Sequence, residues 1–219
     1  MSAATEGAQG AHGKRGDTRA RIQQIALELF SEQGYDATSL REIAERLGVT
    51  KAALYYHFKS KEDIVASFTE DYFGQLDGLV SWAKEQPRTH ATAQEVIERY
   101  IGIVMESREV FRFMERNQAM LHHSEGPEGS GGRHHRLEQF RPRMNALVEA
   151  ITGPDAPARS RVRVTAAFFA VSASCMLFMP DPHAAETGGP VFEPVLDTGE
   201  LRKIVVELAD DITRGIDPA

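Results

Sequence analysis

The stretch from Lys51 to Phe58 has the residue types and spacing needed to bind a polyanion. Read as a helix, it places one lysine, two tyrosines and one small residue on a single face. These residues are Lys51, Ala52, Tyr55 and Tyr56. Ammonium and phenol groups donate hydrogen bonds to phosphate oxygens and base edges, and a small side chain permits close approach to a groove wall. From Gly48 through Lys61 there are three lysines, one histidine and no carboxylate in a chain of formal net charge -7, which favours a polyanionic partner.

Two short helices separated by a tight turn are predicted to position this face. Ser39 and Glu42 form a capping box that opens the first helix, and Gly48 ends it. Thr50 is a good N-cap for the second helix, whose leucine and phenylalanine point away from the lysine and the tyrosines. This pattern is typical of a helix-turn-helix motif.

The surrounding sequence resembles the TetR family of bacterial transcriptional regulators from about Thr18 to Ile64. The positions that carry the resemblance are Phe30, Gly34-Tyr35, Thr38-Ser39, Ile43-Ala44, Gly48-Val49-Thr50, Leu54-Tyr55-Tyr56-His57-Phe58, and Lys61 with Ile64. Ala52 stands where many relatives have glycine, and it is small as well. The resemblance implies an all-α fold, in which an N-terminal three-helix helix-turn-helix DNA-binding domain is joined to a larger helical ligand-binding and dimerisation domain.

The resemblance also implies roles for individual residues on a double-stranded DNA operator. The first helix of the motif would contact the backbone or groove edge through Thr38, Ser39 and Arg41. The residues nearest the bases would be Lys51, Ala52 and Tyr55. The phosphates would be held by Thr50, Tyr56, His57, Lys59 and Lys61. Two alternatives stay open, because His57 could be an inter-helix histidine and Arg41 could pair with Glu45 one turn further on.

Charge and composition divide the chain into three predicted segments. Residues 1–16 are small and polar and are expected to form a disordered arm, after which Asp17 or Thr18 caps the first helix. Residues 17–63 are expected to form the DNA-binding domain, and residues 64–219 the helical ligand-binding and dimerisation domain. The acidic excess of the chain falls almost entirely in that last segment.

Helical periodicity continues through the predicted second domain. A fourth helix is expected from near Lys61 to about Gln86, with two internal glycines, Gly74 and Gly78, explained either by close helix packing or by flexing. The next two helices break near residues 106–108, and Pro142 either kinks a later helix or lies in its first turn.

The last two helices are predicted to form a homodimer interface. Val164 to Met179 has no charge on any face and is expected to be buried all round, as a core or interface helix and not as a membrane span. A final amphipathic helix follows, and the resemblance implies that the two helices build a four-helix bundle across a dimer axis. Two recognition helices about 34 Å apart would then read a palindromic operator.

The resemblance further implies a small-molecule pocket in the second domain, with the DNA released when an effector binds. Aromatic, methionine and asparagine side chains suggest an apolar or aromatic effector, although each of them could equally be plain core. The candidates are Tyr72, Trp82, Tyr100, Phe111, Phe113, Met114, Asn117, Phe140, Met144, Phe168 and Phe169. A regulator without an effector is the alternative.

Other chemistry finds less support in the sequence. The pairs His122-His123 and His134-His135 raise a metal hypothesis, but no cysteine or carboxylate cluster completes a tetrahedral set, so neither metal nor cofactor is expected. No nucleophile beside a base, carboxylate pair or phosphate-binding loop is visible, and the single cysteine, Cys175, has no evident partner. We therefore expect a cytoplasmic repressor and not an enzyme.

Overall fold

The computed structural model describes residues 6–117, 132–178 and 196–214, and this part of the chain contains nine α-helices and no strand. The helices are α1 (Glu6–Gln33), α2 (Leu40–Leu47), α3 (Lys51–His57), α4 (Lys61–Glu85), α5 (His90–Glu106), α6 (Arg108–Arg116), α7 (Gly132–Thr152), α8 (Ala158–Phe178) and α9 (Thr198–Thr213). The all-α prediction is confirmed.

The chain forms two compact units. The first unit comprises residues 1–71 and 109–129, and the second comprises residues 72–108 and 130–219. The first unit therefore holds α1, α2, α3, the beginning of α4 and nearly all of α6. The domain boundary predicted at residues 63–64 stays a prediction, because the units are divided within α4.

The core of the first unit is built from the apolar faces of five helices. Its members from the first four helices and their turns are Ile22, Ala26, Leu29, Phe30, Tyr35, Ile43, Ala44, Leu54, Phe58, Ile64, Val65 and Phe68. Phe113 and Met114 of α6 complete it. The Phe113 ring stacks on Phe30, with centroids 5.3 Å apart and planes inclined by 23°. Helix α6 is thus an integral part of the core beneath the helix-turn-helix.

Helix α1 begins at Glu6, before the predicted cap at Asp17 or Thr18 and inside the stretch predicted to be a disordered arm. A helix is costly to nucleate but cheap to extend. Once the turns from Ile22 onward are packed, the alanines, glutamine and charged residues that precede them can extend it despite their interspersed glycines.

Helix α8 lies in the core of the second unit. It packs against α5, α7 and α9, and its buried face consists of Val164, Ala167, Phe168, Val171 and Cys175. Within the described residues, α8 is also the one helix long and apolar enough to cross a membrane, but its packing in the core explains the same composition.

The prediction that α8 is buried all round is wrong for the single chain. Phe169 and Leu177 are 62% and 42% exposed, and Ala166 and Ala173 are also exposed. Apolar composition shows that a surface avoids water but not which protein surface covers it. Among the described residues, the neighbouring helices cover one side of α8, and the side that carries Phe169 and Leu177 is exposed.

Three smaller predictions have clear outcomes. Helices α5 and α6 break at Ser107, as expected. Pro142 lies inside α7 and not in its first turn. At Gly74 and Gly78, an added Cβ would meet no other atom within 4 Å in the described structure, so packing between described helices does not require glycine at either position.

Candidate DNA interface

The helix-turn-helix is held by local hydrogen bonds at its ends. Ser39 Oγ accepts from the Glu42 amide at 3.2 Å, and the Ser39 amide donates to Glu42 Oε2 at 2.7 Å. The Ser39 hydroxyl also donates to Glu42 Oε2 at 2.8 Å, and this bond, together with the bond from the Ser39 amide, holds the pKa of the Glu42 carboxyl below its usual value. Gly48 ends α2 at φ 74°, a left-handed conformation that glycine adopts without strain. The predicted capping box and turn are therefore present.

Helix α3 separates an inner from an outer face as predicted. Thr50 Oγ1 accepts from the Ala53 amide at 3.2 Å and caps the helix. Leu54 is inaccessible to solvent and Phe58 is 2% exposed. The residues on the outer face are all exposed: Lys51, Ala52, Tyr55 and Tyr56. This face supplies one ammonium and two phenols without a carboxylate of its own.

The cation and the first phenol on this face lie close together. The Lys51 ammonium is 5.4 Å from the centroid of the Tyr55 ring, within the range of a cation–π contact. The Tyr56 ring contacts the His57 ring edge-on, with centroids 5.3 Å apart. These contacts limit the positions that the side chains can take before DNA binds. The loss of conformational entropy on binding is smaller as a result.

Arg41 forms the predicted alternative ion pair with Glu45. Its Nε donates to Glu45 Oε1 at 2.7 Å, while three quarters of its side chain stays exposed. The bond raises the pKa of the guanidinium. An exposed pair of this kind contributes little to stability, so Arg41 can exchange Glu45 for a phosphate at low cost.

Thr38 is a structural residue and not part of the exposed surface. Its side chain is 2% exposed, and its hydroxyl donates to the Gly34 carbonyl at 2.8 Å and accepts from Gln33 Nε2 at 3.2 Å. The predicted DNA contact by this side chain is therefore corrected. The sequence does not show whether the hydroxyl of a threonine before a capping serine points to solvent or bonds to the preceding turn.

The predicted phosphate-binding residues differ in their surroundings. Lys59 is exposed and its amide donates to Asp63 Oδ2 at 3.0 Å, whereas His57 is only partly exposed. The Lys61 ammonium donates to the Tyr35 carbonyl oxygen at 2.6 Å and is therefore engaged inside the first unit. Thr50 comes directly before α3 and Lys59 lies two residues after its end, so the two residues flank the helix in the chain.

Two arginines that the sequence analysis did not single out support the motif. The Arg19 guanidinium lies 4.7 Å above the Phe58 ring and 3.7 Å from Glu70 Oε2, linking α1 and α4 to the end of α3. Arg46 of α2 pairs with Glu32 of α1 at 2.8 Å. Both are charges on otherwise amphipathic helices, and periodicity alone carries no signal that would have identified their partners.

The eleven predicted effector-binding residues are divided between the two units. Phe111, Phe113, Met114 and Asn117 belong to the first unit, where Phe113 and Met114 are core residues. Tyr72, Trp82, Tyr100, Phe140, Met144, Phe168 and Phe169 belong to the second. Phe169 points to solvent, so the structure does not bring it together with the buried Tyr100 and Phe168.

The histidine pairs of the metal hypothesis fall outside what the structure describes. His122-His123 and the side chains of His134-His135 are not among the described residues. Elsewhere in the described structure, no group of three or more His, Cys, Asp or Glu side chains is placed to hold a metal ion.

The capped α2, the turn at Gly48 and α3 form a helix-turn-helix, and the exposed basic and phenolic face of α3 is of the kind that suits DNA. Residues 22–68 match the family model described as bacterial regulatory proteins, tetR family. This part of the chain is therefore a helix-turn-helix domain of the TetR type, which confirms the resemblance seen in the sequence.

Relatives of known name match the N-terminal part of the chain. The HTH-type transcriptional regulator AcrR of Shigella flexneri is 45% identical over 64 residues, which are 28% of this chain and 30% of that protein. The HTH-type transcriptional repressor KstR2 of Mycolicibacterium smegmatis is 33% identical over 89 residues, 41% of this chain and 40% of that protein. The chain thus spans well under half the length of these relatives.

The fold likeness extends over nearly the whole chain. The TetR family regulator PfmR from Thermus thermophilus superimposes with a TM-score of 0.60, covering 90% of this chain and 99% of that chain at 23% identity. At this level of identity, the likeness establishes the helical fold of the C-terminal part but not its ligand.

Proposed function

We propose that the protein is a transcriptional repressor that binds a palindromic operator as a homodimer in the bacterial cytoplasm and is released by a small apolar or aromatic effector. The observation that carries the proposal is the exposed, carboxylate-free outer face of α3. Lys51, Ala52 and Tyr55 are the residues proposed to lie nearest the bases. Thr50, Tyr56, His57 and Lys59 would hold phosphates, while Ser39 and Arg41 would contact the groove edge.

The homodimer is supported by apolar surface left uncovered on the last two helices. On α8, the exposed residues recur at helical spacing: Val162, Ala166, Phe169, Ala173 and Leu177. Val162 and Phe169 are 66% and 62% exposed. Ile204 and Leu208, one turn apart on α9, are exposed as well. Contiguous apolar surface of this kind marks an interaction site, and a second copy with the same stripe supplies a self-complementary cover.

A homodimer has a direct consequence for the DNA sequence. One α3 reads only a few base pairs, whereas two related by a two-fold axis read two successive major grooves. The operator is therefore palindromic, and its half-sites are about ten base pairs apart from centre to centre. A dimer bound over such a site can block polymerase by position alone, and KstR2, a relative of the N-terminal part, is itself named a repressor.

The apolar character of the effector is argued from the second unit. Tyr100 and Phe168 are buried, and their rings meet edge-on with centroids 4.8 Å apart. Side chains of this type favour aromatic or aliphatic ligands over charged ones. To move a strongly biased equilibrium fully to the DNA-free state, the effector must prefer that state by about 5.5 kcal/mol.

One observation favours the alternative, a regulator without an effector. The Tyr100 hydroxyl lies 2.8 Å from Ser172 Oγ, and the Ser172 hydroxyl also lies 3.0 Å from the Phe168 carbonyl oxygen. The hydroxyl of the buried Tyr100 is thus satisfied within the protein and does not need a ligand to complete its bonding.

Selection from a random-sequence DNA pool tests the proposal directly. We expect a two-fold symmetric consensus, bound with two protomers per duplex as measured by analytical ultracentrifugation. An asymmetric consensus or one protomer per site would contradict the homodimer. The selected duplex then serves in a screen of small aromatic and aliphatic compounds for release, in which release only by charged compounds would contradict the proposed effector class.

A further inference from the structure

Two consecutive residues in the first turn of α4, Lys61 and Glu62, both contact Tyr35 at the turn between α1 and α2. The Lys61 ammonium donates to the Tyr35 carbonyl oxygen at 2.6 Å and lies 4.2 Å from the centroid of the Tyr35 ring. Glu62 Oε1 accepts from the Tyr35 hydroxyl at 2.8 Å. One lysine and one glutamate therefore fix the backbone, the ring face and the hydroxyl of the same tyrosine.

Tyr35 is itself firmly seated. It is 7% exposed, and its ring packs against Phe30 and Phe113 with centroid separations of 5.0 and 6.1 Å. Its carbonyl oxygen also accepts from the Thr38 amide at 3.2 Å. The oxygen held by Lys61 is thus the one that forms the turn leading into α2.

The position of α2 follows from this turn. Thr38 precedes Ser39, which caps α2, and the turn at Gly48 connects α2 directly to α3. A displacement of the Tyr35 carbonyl relative to the start of α4 would therefore be passed to the recognition helix within one rigid motif.

We propose that Lys61 and Glu62 are positioning residues for DNA recognition, which hold Tyr35 and thereby set α2 and α3 relative to the start of α4, and that the Lys61 ammonium does not bind a phosphate. This role differs from the phosphate contact that family resemblance implied for Lys61. It rests on the operator binding proposed above. The exposed Lys59, two residues earlier, is the better placed phosphate ligand of the pair.

The salt dependence of DNA binding distinguishes the two roles of Lys61. Each phosphate contact adds about 0.9 to the slope of log affinity against log salt concentration, so a homodimer that loses one contact per protomer loses roughly 1.8. For Lys61→Met we expect an unchanged slope on the selected duplex. The matched control Lys59→Met should lower it. A slope that falls for Lys61→Met as it does for the control overturns the proposal.

Affinity for specific and unrelated duplex tests the positioning role. At a temperature where all variants are folded, Lys61→Met should bind the selected duplex roughly tenfold more weakly, equivalent to about 1.4 kcal/mol, with little change on unrelated duplex. Lys61→Arg, which keeps a cation and donors, should restore affinity to within about threefold. A Lys61→Met protein that melts earlier but binds the selected duplex like the wild type would reduce the role to stability and overturn the proposal.

A double-mutant cycle measures the contact between Lys61 and Tyr35 without DNA, so its result does not depend on whether an operator is found. Urea unfolding of Lys61→Met, Tyr35→Leu and the double variant should be strongly non-additive, because the ring contact is lost in either single variant. Additive changes in the free energy of unfolding would show that the two side chains are uncoupled. Glu62→Gln, combined with Tyr35→Phe, provides the same comparison for the hydroxyl if Tyr35→Leu does not fold. A selection that yields no bound duplex while this coupling is present would count against the proposed function and not against the contacts between Lys61, Glu62 and Tyr35.

Discussion

Leu54 and Tyr55 are neighbours in α3, yet Leu54 is inaccessible to solvent whereas Tyr55 is 41% exposed. This division between adjacent residues fixes how the helix can be used. The leucine anchors it in the core of the first unit, and the phenol beside it faces outward with Lys51. A change at either residue should therefore affect a different property of the protein.

Removing the buried hydroxyl of Thr38 should destabilise the fold without removing a DNA contact. In Thr38→Val, the Gly34 carbonyl loses its donor and Gln33 loses its acceptor. We expect the free energy of unfolding to fall by about 1–3 kcal/mol. DNA affinity and the salt slope, measured on folded protein, should match the wild type. A lower salt slope would restore Thr38 to the interface.

Filling Gly78 should stabilise α4. An alanine Cβ at this position meets open space in the described structure, and alanine is favoured over glycine inside a helix by about 1 kcal/mol. Urea unfolding of Gly78→Ala measures the gain, with Gly48→Ala as the contrasting variant, because φ is 74° there and a Cβ is strained. A destabilised Gly78→Ala would indicate that a surface absent from the single chain packs against this glycine.

A charge placed on the exposed stripe of α8 should separate the protomers. In Phe169→Asp, a carboxylate would have to be buried without a partner at the proposed dimer interface. We expect a monomer in sedimentation experiments at concentrations where the wild type is dimeric, and affinity for the palindrome reduced at least tenfold, since half-sites are no longer read together. Glu149→Asp, at an exposed position of α7, is the control. A dimeric Phe169→Asp would place the interface elsewhere.

Acid should weaken the capping box of α2. The Ser39 hydroxyl and amide hold the pKa of Glu42 below its ordinary value. A carboxyl whose folded pKa is depressed contributes stability above its unfolded pKa, about 4.3, and loses it as the pH falls through the folded value. The wild type should therefore unfold at a higher temperature than Glu42→Gln at pH 7, and the difference should close below about pH 4. If the difference in unfolding temperature persists in acid, it arises from the shape of the Glu42 side chain and not from its charge.

The sequence was sufficient to predict the local structure of the helix-turn-helix, because caps and turns depend on residues close together. The Ser39–Glu42 capping box, the end of α2 at Gly48 and the division of α3 into two faces were all predicted correctly. The family resemblance predicted the same elements, and residues 22–68 match the family model.

Relationships between distant elements could not be predicted in the same way. Phe113 looked like a pocket residue but stacks on Phe30, because an amphipathic helix shows that a face is buried without showing against what. The hydrogen bond from Lys61 to the Tyr35 carbonyl could not be predicted either, because the accepting oxygen leaves no trace in the sequence. The exposure of Phe169 likewise depends on which surface covers α8.

Salt-dependent binding of the wild type and Tyr55→Ala to the selected duplex, with unrelated duplex as competitor, tests the central claim most directly. Circular dichroism should show equal helix content, and Tyr55→Phe separates the hydroxyl from the ring. We predict tight, competitor-resistant binding by the wild type and a loss of at least tenfold in Tyr55→Ala on the selected duplex alone, equivalent to about 1.4 kcal/mol. Equal affinity of wild type and Tyr55→Ala for the selected duplex would contradict the assignment of the outer face of α3 as the DNA-reading surface.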